Sequence, residues 1–311
     1  MHYVITGAAG FLGFHLATRL LADGYQVTGL DNFHSGSEAN IAALSRHAGF
    51  SFRRHDVVQP YDLPCDVVCN LACPASPSHY QRDPVYTAKI AFLGTLHALE
   101  NAERYRARVL QASTSETYGD PLVHPQTEDY FGNVNQVGPR ACYEEGKRLG
   151  ETLCADFRRA GRTDARLARI FNTYGPNMRG DDGRVVTNFI NQALRGQALT
   201  VYGEGRQTRS FCYVDDLVEG FVRLLATEPD PGPVNLGNPA EISVWELAEE
   251  VQRQVGSRLP IRFEPMPVDD PHRRRPDITK ARRVLDGWEP KVPLPEGLAR
   301  TIAYFRQLPV S

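Results

Sequence analysis

His2-Tyr3-Val4-Ile5-Thr6-Gly7-Ala8-Ala9-Gly10-Phe11-Leu12-Gly13 is the stretch that decides the fold. A short run rich in β-branched residues enters three glycines spaced by three, and Phe14 to Ala22 then carries apolar residues at helical spacing. The expected order is strand, glycine turn, helix. Gly7 takes the turn, Gly10 lets backbone approach a pyrophosphate, and Gly13 lets the helix pack on the sheet, while Phe11 and Leu12 open the helix whose N-terminus faces phosphate. A glycine triplet alone says little. Here a second strand, Gln26 to Leu30, ends in Asp31 with Asn32 beside it, at the spacing expected of an acid that binds a ribose diol. A dinucleotide is therefore expected, and because an acid at this point disfavours a 2′-phosphate, NAD is expected over NADP.

Working outward, the runs Ser51 to Arg54, Cys65 to Ala72, Val109 to Ala112 and Arg166 to Phe171 read as strands, and 38–46, 84–103 and 140–160 as helices. This alternation predicts an α/β fold, a Rossmann-like doubly wound parallel sheet. Ligands of such sheets bind beyond the carboxyl ends of the strands, which puts Asp56, Val57, Leu71, Ala72 and Ser113-Thr114-Ser115 along one crevice. Asp56 could touch adenine or cap a helix. The loop Cys73 to Tyr80, with Ala75 and the stiffening Pro74 and Pro77, overhangs the crevice or serves as linker. Beyond Phe171 the alternation dissolves into sequence that reads as loop-rich, with helices at 214–225 and 244–251 and a short strand at 234–236. The expected division is a cofactor-binding domain of 1–172, with 210–237 returning to it, and a smaller C-terminal α/β lobe of 173–209 and 238–311 for the substrate.

Bulk composition excludes several classes. Among 311 residues, 35 Lys and Arg balance 37 Asp and Glu, and the net charge of −2 gives no reason to expect nucleic acid or an anionic membrane as partner. No apolar run reaches the length of a membrane span, and Met1 leads directly into a strand, so a cytoplasmic protein is expected. Of the six cysteines, Cys65, Cys69 and Cys73 are spaced by four, but no histidine pair completes a zinc pattern. Reduced thiols and no metal site are expected.

The chemistry concentrates at two places. Val109 to Ala112 empties into Ser113-Thr114-Ser115-Glu116 at the crevice rim, and Tyr143 and Lys147 stand at i and i+4 of a helix, on one face. An ammonium near a phenol favours the phenolate and lowers its pKa, which makes a base. Between turns of the second half, arginines, amides and aromatics recur, a composition suited to a nucleoside diphosphate. The cluster around Arg273-Arg274-Arg275 fits a substrate with several negative charges.

Through Gly7-x-x-Gly10-x-x-Gly13, Ser113-Thr114-Ser115 and Tyr143-x-x-x-Lys147, the chain resembles the extended short-chain dehydrogenase/reductases that act on nucleotide sugars. Leu71 to Pro77, Ala112 to Pro121, Gly138 to Tyr143, Ala168 to Pro176, Asp182 to Val186 and Arg274 to Ile278 resemble in particular the branch that decarboxylates UDP-glucuronate to UDP-xylose. The resemblance implies that Tyr143, helped by Lys147 and a hydroxyl of Thr114 or Ser115, takes the proton of the sugar 4-hydroxyl, with Tyr143, Lys147 and Ala75 also against the cofactor. It implies that Glu116 and Arg274 surround the glucuronate carboxylate. Pro77, Tyr80, Asn172, Arg184, Asn188, Tyr202, Gln207, Arg209 and Tyr213 become candidates for holding substrate. It further implies a homodimer through helices 84–103 and 140–160. Two departures stand out: Asn177-Met178-Arg179 where the family has Arg-Met, and Glu144 where Asp is usual. Rival activities on the same fold are a C4 epimerase, a 4,6-dehydratase and an oxidative decarboxylase that releases the 4-keto pentose. A non-catalytic NAD-binding sensor would lack Tyr143, Lys147 or the strand-end hydroxyls.

Overall fold

The structure, a computed structural model, describes residues 1–308. Its first half alternates as expected: β1 (His2–Thr6), α1 (Phe11–Ala22), β2 (Gln26–Asp31), α2 (Glu38–Leu44), β3 (Phe50–Arg54), β4 (Val67–Asn70), α3 (Pro77–Tyr80), α4 (Pro84–Lys89), α5 (Thr95–Tyr105), β5 (Arg108–Thr114), α6 (Ala141–Arg159) and β6 (Asp164–Ile170). The second half adds β7 (Thr173–Tyr174), α7 (Val185–Leu194), β8 (Leu199–Tyr202), β9 (Thr208–Ser210), β10 (Cys212–Tyr213), α8 (Val214–Leu225) and β11 (Val234–Leu236). It closes with β12 (Glu241–Ser243), α9 (Val244–Val255), β13 (Ile261–Glu264), β14 (Arg273–Arg274), α10 (Thr279–Val284) and α11 (Leu294–Gln307).

Seven strands form one parallel sheet in the order β11-β6-β5-β4-β1-β2-β3. The order reverses direction between β1 and β4, and that switch point is where such sheets open a crevice. Successive side chains of β1 go to opposite faces: Tyr3 and Ile5 join the apolar cluster of α1, while Val4 joins the cluster of Ala98, Leu99, Cys154 and Phe157 beneath α5 and α6. Both faces are thus covered by helices. Residues from the second half return to this sheet, because β11 pairs with β6 and α8 packs on α1. The remaining strands make small sheets, β13-β8, β12-β9-β14 and β10-β7, beyond the carboxyl ends of the main one.

Three elements differ from expectation. The stretch after Gly183 contains α7, whose Val186, Phe189, Ile190 and Ala193 are all buried, a one-sided stripe that the glycines before it and Gly196 after it concealed. The helix expected over 84–103 is interrupted by a π turn at Ile90–Gly94 and runs on to Tyr105. The Thr95 hydroxyl donates to the Ala91 carbonyl at 2.8 Å within that turn, and α6 approaches so closely that a Cβ on Gly146 would lie 2.7 Å from that of Ala91. The overhanging loop carries the single helical turn α3, begun by Pro77, whose fixed φ suits the first helical position.

Candidate active site

The glycine turn forms one wall of a solvent-open crevice, lined also by Asp31, Asn32, Asp56, Val57, Leu71, Ala72 and Ala75. Gly7 has φ +74°, and a Cβ there would come within 2.9 Å of the Ala72 backbone. A Cβ on Gly13 would stand 2.1 Å from the Gly7 carbonyl oxygen, so only glycine lets α1 start this close to the turn. At Gly10 a Cβ would meet nothing but that same oxygen, at 3.2 Å, and would fill the crevice instead. Helix α1 has no side-chain cap, which leaves its first N–H groups for an anion. At the end of β2 the Asp31 carboxylate accepts from the backbone N–H of Phe33 (2.7 Å) and Ala9 (3.0 Å), and burial pushes its pKa up against those two bonds. A fixed acid, a glycine cradle and an open helix N-terminus fit NAD. Asp56 neither caps a helix nor stands free: Tyr86 donates to it at 2.5 Å, Val58 N at 3.0 Å, and Asn32 in turn donates to the Tyr86 hydroxyl at 2.8 Å.

The structure brings Thr114, Ser115, Glu116, Tyr143 and Lys147 together in a buried group. Ser115–Tyr118 form a 3₁₀ turn after β5, and the Thr114 hydroxyl accepts from Glu116 N at 3.2 Å. Helix α6 presents Tyr143 and Lys147 on one face, as their spacing predicts, and the Lys147 ammonium donates to the Ala112 carbonyl at 2.8 Å. It lies 5.7 Å from the centre of the Tyr143 ring. One expectation is corrected here. Burial, and then the negative charge of Glu116, push the Tyr143 phenol pKa up; the Thr114 hydroxyl pulls it down but does not prevail. Tyr143 is therefore a neutral phenol in this state, stacked on Tyr80 with centroids 5.1 Å apart.

Beside Tyr143 lies a charged cluster that the sequence revealed only in part. Arg140 donates to Glu116 at 2.8 Å, to Asp270 at 3.0 Å and to Glu144 at 3.3 Å. Arg274 approaches Glu116 at 3.5 Å, and Arg209 donates to Asp270 at 2.7 Å. Burial alone would raise the Glu116 carboxyl, but Arg140 and Arg274 overturn this and hold it below its ordinary range. Glu144 goes the other way: burial and the charge of Glu116 push it up to about 7 despite both arginines. Burial pushes Arg209 down to about 10, with Asp270 opposing. Among the described residues, the buried Tyr80 hydroxyl and Arg274 Nη2 have no hydrogen-bond partner within the protein. Such groups are costly unless a ligand completes them.

The other expected residues are dispersed. Arg184 lies on the crevice wall, paired with Asp182 at 3.1 Å, and Asn188 donates to the Gly183 carbonyl one turn away. Gln207 donates to the Tyr202 carbonyl at 2.8 Å, and the Tyr202 side chain is exposed at the end of β8. Asn172 is half-buried beyond β6, and Pro77 opens α3. Tyr213 belongs elsewhere. Its buried ring meets Tyr174 edge-on at 5.7 Å, with the Arg300 guanidinium over it at 5.4 Å, so it packs the core under α11. At the departure noted above, Asn177 lines the crevice and donates to Asn40 at 3.0 Å, while Arg179 turns to Asp181 at 2.8 Å. Arg140, Asp270, Asn40 and Asp182 were not anticipated. Arg140 and Asp182 carried a signal, since they lie in the runs Gly138 to Tyr143 and Asp182 to Val186.

Fold and site together define a nucleotide-dependent enzyme of the short-chain dehydrogenase type, and residues 3–237 match the NAD dependent epimerase/dehydratase family, to which the chain belongs. It is 53% identical over 307 residues to UDP-glucuronic acid decarboxylase 4 of Arabidopsis thaliana, covering 99% of this chain and 69% of that one. UDP-glucuronic acid decarboxylase 1 of Danio rerio is 53% identical over 302 residues, with 97% and 72% covered. Among solved structures, UDP-glucuronic acid 4-epimerase from Bacillus cereus, in complex with UDP-glucuronic acid and NAD, superposes with a TM-score of 0.89 at 29% identity over 99% of each chain.

Proposed function

We propose that this chain decarboxylates UDP-glucuronate to UDP-xylose. The observation that carries the reading is Arg274: its buried Nη2 lacks a partner and its Nη1 faces Glu116, in the group that holds Tyr143. A guanidinium of this kind is suited to a carboxylate on the sugar that Tyr143 addresses.

NAD held by the glycine turn and Asp31 would supply a reversible two-electron oxidation of the sugar C4, with no net redox over the cycle. Tyr143 takes the 4-hydroxyl proton as its phenolate, so the phenol first gives up its own proton, an ionisation that the Lys147 ammonium and the hydroxyl of Thr114 or Ser115 favour. The 4-ketone makes the C6 carboxylate that of a β-keto acid. As carbon dioxide leaves, negative charge moves onto O4, the atom that Tyr143 and the neighbouring hydroxyl bond. Arg274 orients the departing carboxylate. Stabilising that ground state would slow its loss, and the charge of Glu116, set between Arg140 and Arg274, offsets it. At the end Tyr143 returns its proton to O4.

Asp31, Asn32, Asp56 and the residues lining the crevice are assigned to NAD. Arg184, Asn188, Tyr202, Gln207 and Arg209, in 173–209 and 238–311, are assigned to the uridine diphosphate, and Tyr213 is withdrawn. We also propose a homodimer: Val85, Phe92 and Leu149 are exposed on α4, the π turn and α6, an apolar set that a second copy would cover. Light scattering at micromolar concentration checks this; a monomer would refute it. The six unpaired thiols suit a reducing cytoplasm.

The test is incubation with UDP-glucuronate and no added cofactor, following carbon dioxide, NADH absorbance and the nucleotide-sugar product together. UDP-xylose without accumulating NADH is expected. NADH that builds up alongside a 4-keto pentose would instead mark the oxidative variant, and an absence of carbon dioxide would leave an epimerase or dehydratase.

A further inference from the structure

The charged cluster contains a buried carboxylate, Glu144, that these steps leave without a role. The inference drawn from it rests on the decarboxylase reading and concerns one proton. When carbon dioxide leaves, the C5–C6 bond breaks and its electron pair becomes the C4–C5 enolate; a new C5–H bond must then form. The proton that Tyr143 removes from O4 returns to O4, so it cannot also supply C5. Each turnover therefore draws one proton from solvent into a buried site.

We propose that Glu144 relays that proton from a second, solvent-open cavity to the face of the sugar held by Glu116. The cavity is lined by Gly119, Asp120, Asn133, Glu144, Asp270 and His272 together with Met266, and Asn133, Met266 and His272 are exposed. Glu144 is 3% exposed, so its carboxyl stands at the floor of the cavity with the protein interior behind it. It shares one guanidinium with Glu116, since Arg140 Nη2 binds Glu116 and Arg140 Nε binds Glu144.

The groups that face Glu144 come from every neighbouring element. Glu116 lies on the 3₁₀ turn, Arg274 on β14, Tyr80 on α3, and Arg140 and Cys142 at the start of its own helix. Asp270 reaches it through Arg140, and Asp120, Asp269 and His272 stand on the cavity wall. Together they split two like carboxyls. Glu116, between two arginines, stays ionised, while Glu144, pushed up to about 7, is protonated in part of the molecules at neutral pH and can both give and regain a proton. Two acids driven apart in this way take different tasks. Glu144 gives its proton to the Glu116 carboxylate, which hands it to C5 and is thereby ionised again, and Glu144 regains a proton from the cavity. It acts through Glu116 and is a positioning residue in that sense.

Glu144→Gln keeps an acceptor for Arg140 and removes the titrating proton. The expected result is UDP-xylose formation slower by about 10- to 100-fold, the scale of one lost acid–base group. The share of decarboxylated substrate released as the 4-keto pentose rises, and the carbon dioxide burst of a single turnover changes by less than about twofold, since that step precedes C5 protonation. Glu144→Asp, which keeps a carboxyl, restores most of the rate. A carbon dioxide burst that falls as far as UDP-xylose formation would mean that Glu144 only holds Arg140 and Glu116 in place, and would overturn the relay. Equal rates and equal products in Glu144→Gln and the parent would overturn it as well. Should the variant not fold, single turnovers of the parent decide: UDP-xylose formation should decline as pH rises above about 7, and a flat profile from about pH 6 to about pH 8.5 refutes the relay. Absence of carbon dioxide from the parent enzyme removes the decarboxylase reading itself, and the relay with it, an outcome distinct from the others.

Discussion

The glycine turn of the cofactor crevice is built from backbone within a few residues of chain, whereas the charged cluster beside Tyr143 is built from side chains spread between Glu116 and Arg274. In the crevice, Gly7, Gly10 and Gly13 act by what they lack, and the uncapped N–H groups belong to the helix itself. In the cluster, Glu116, Arg140, Glu144, Arg209, Asp270 and Arg274 act by charges that touch only after the chain has folded. The first is rigid because its geometry is steric. The second is held by mutual compensation, so removing one member leaves the others uncompensated. The two should therefore fail differently when mutated.

The largest effect is expected at the hub of the cluster. Arg140→Ala strands Glu116, Glu144 and Asp270 in a buried site and should cost about 3–5 kcal/mol in denaturant unfolding at neutral pH. A cost under about 1 kcal/mol, the range of exposed ion pairs, would mean that water screens the cluster and that its contrast with the crevice is only one of position. Gly13→Ala comes next. Its Cβ would sit 2.1 Å from the Gly7 oxygen, so the helix must move and about 1–3 kcal/mol of stability should be lost. The amount of NAD that copurifies should fall with it. If the variant kept both, steric closeness would not be what builds the crevice.

A gentler change sharpens the comparison without disturbing packing. Asp31→Asn retains an acceptor for one of the two backbone N–H groups, Ala9 or Phe33, and loses the charge. NAD affinity by calorimetry should weaken about tenfold, the worth of one charge-assisted hydrogen bond, while NADP affinity weakens less or improves. An equal loss for both would show that Asp31 shapes the turn and does not read the ribose.

The same contrast explains what could be read from the chain before folding. The strand, glycine turn and helix, the acid at Asp31, and the i, i+4 pair of Tyr143 and Lys147 are local patterns, and each appears where its spacing places it. Helix α7 was also local, yet Gly183 and Gly196 drew attention away from the stripe Val186, Phe189, Ile190 and Ala193. The ion pairs of Arg140 and Arg209 to Asp270 join residues whose separation along the chain carries no period, so no pattern announced them. Tyr143 misled for a third reason. The expectation weighed the Lys147 charge alone, but the phenol also feels burial and the nearby Glu116, which come out stronger.

The smallest predicted effect tests whether the cluster holds two carboxyls in opposite states. Glu144 has an ordinary value of 4.5, close to that of the unfolded chain, and is pushed up to about 7 when folded. Below about pH 4.5 it is protonated in both states and its contribution is fully present. As pH rises from there, the unfolded chain releases the proton first, and folded stability falls until the folded group has also ionised, near pH 7. Glu116 has the opposite sign: its folded value lies below the ordinary one, so its contribution is present above about pH 4.5 and is lost as pH falls through the folded value. Glu144→Gln removes only the first of these terms. The melting temperature of the variant minus that of the parent should therefore rise between about pH 5 and about pH 8, by a few degrees at most for a chain of this size. A difference that stays level would place Glu144 with Glu116 as a second permanently ionised carboxylate, and the division of labour between them would be lost.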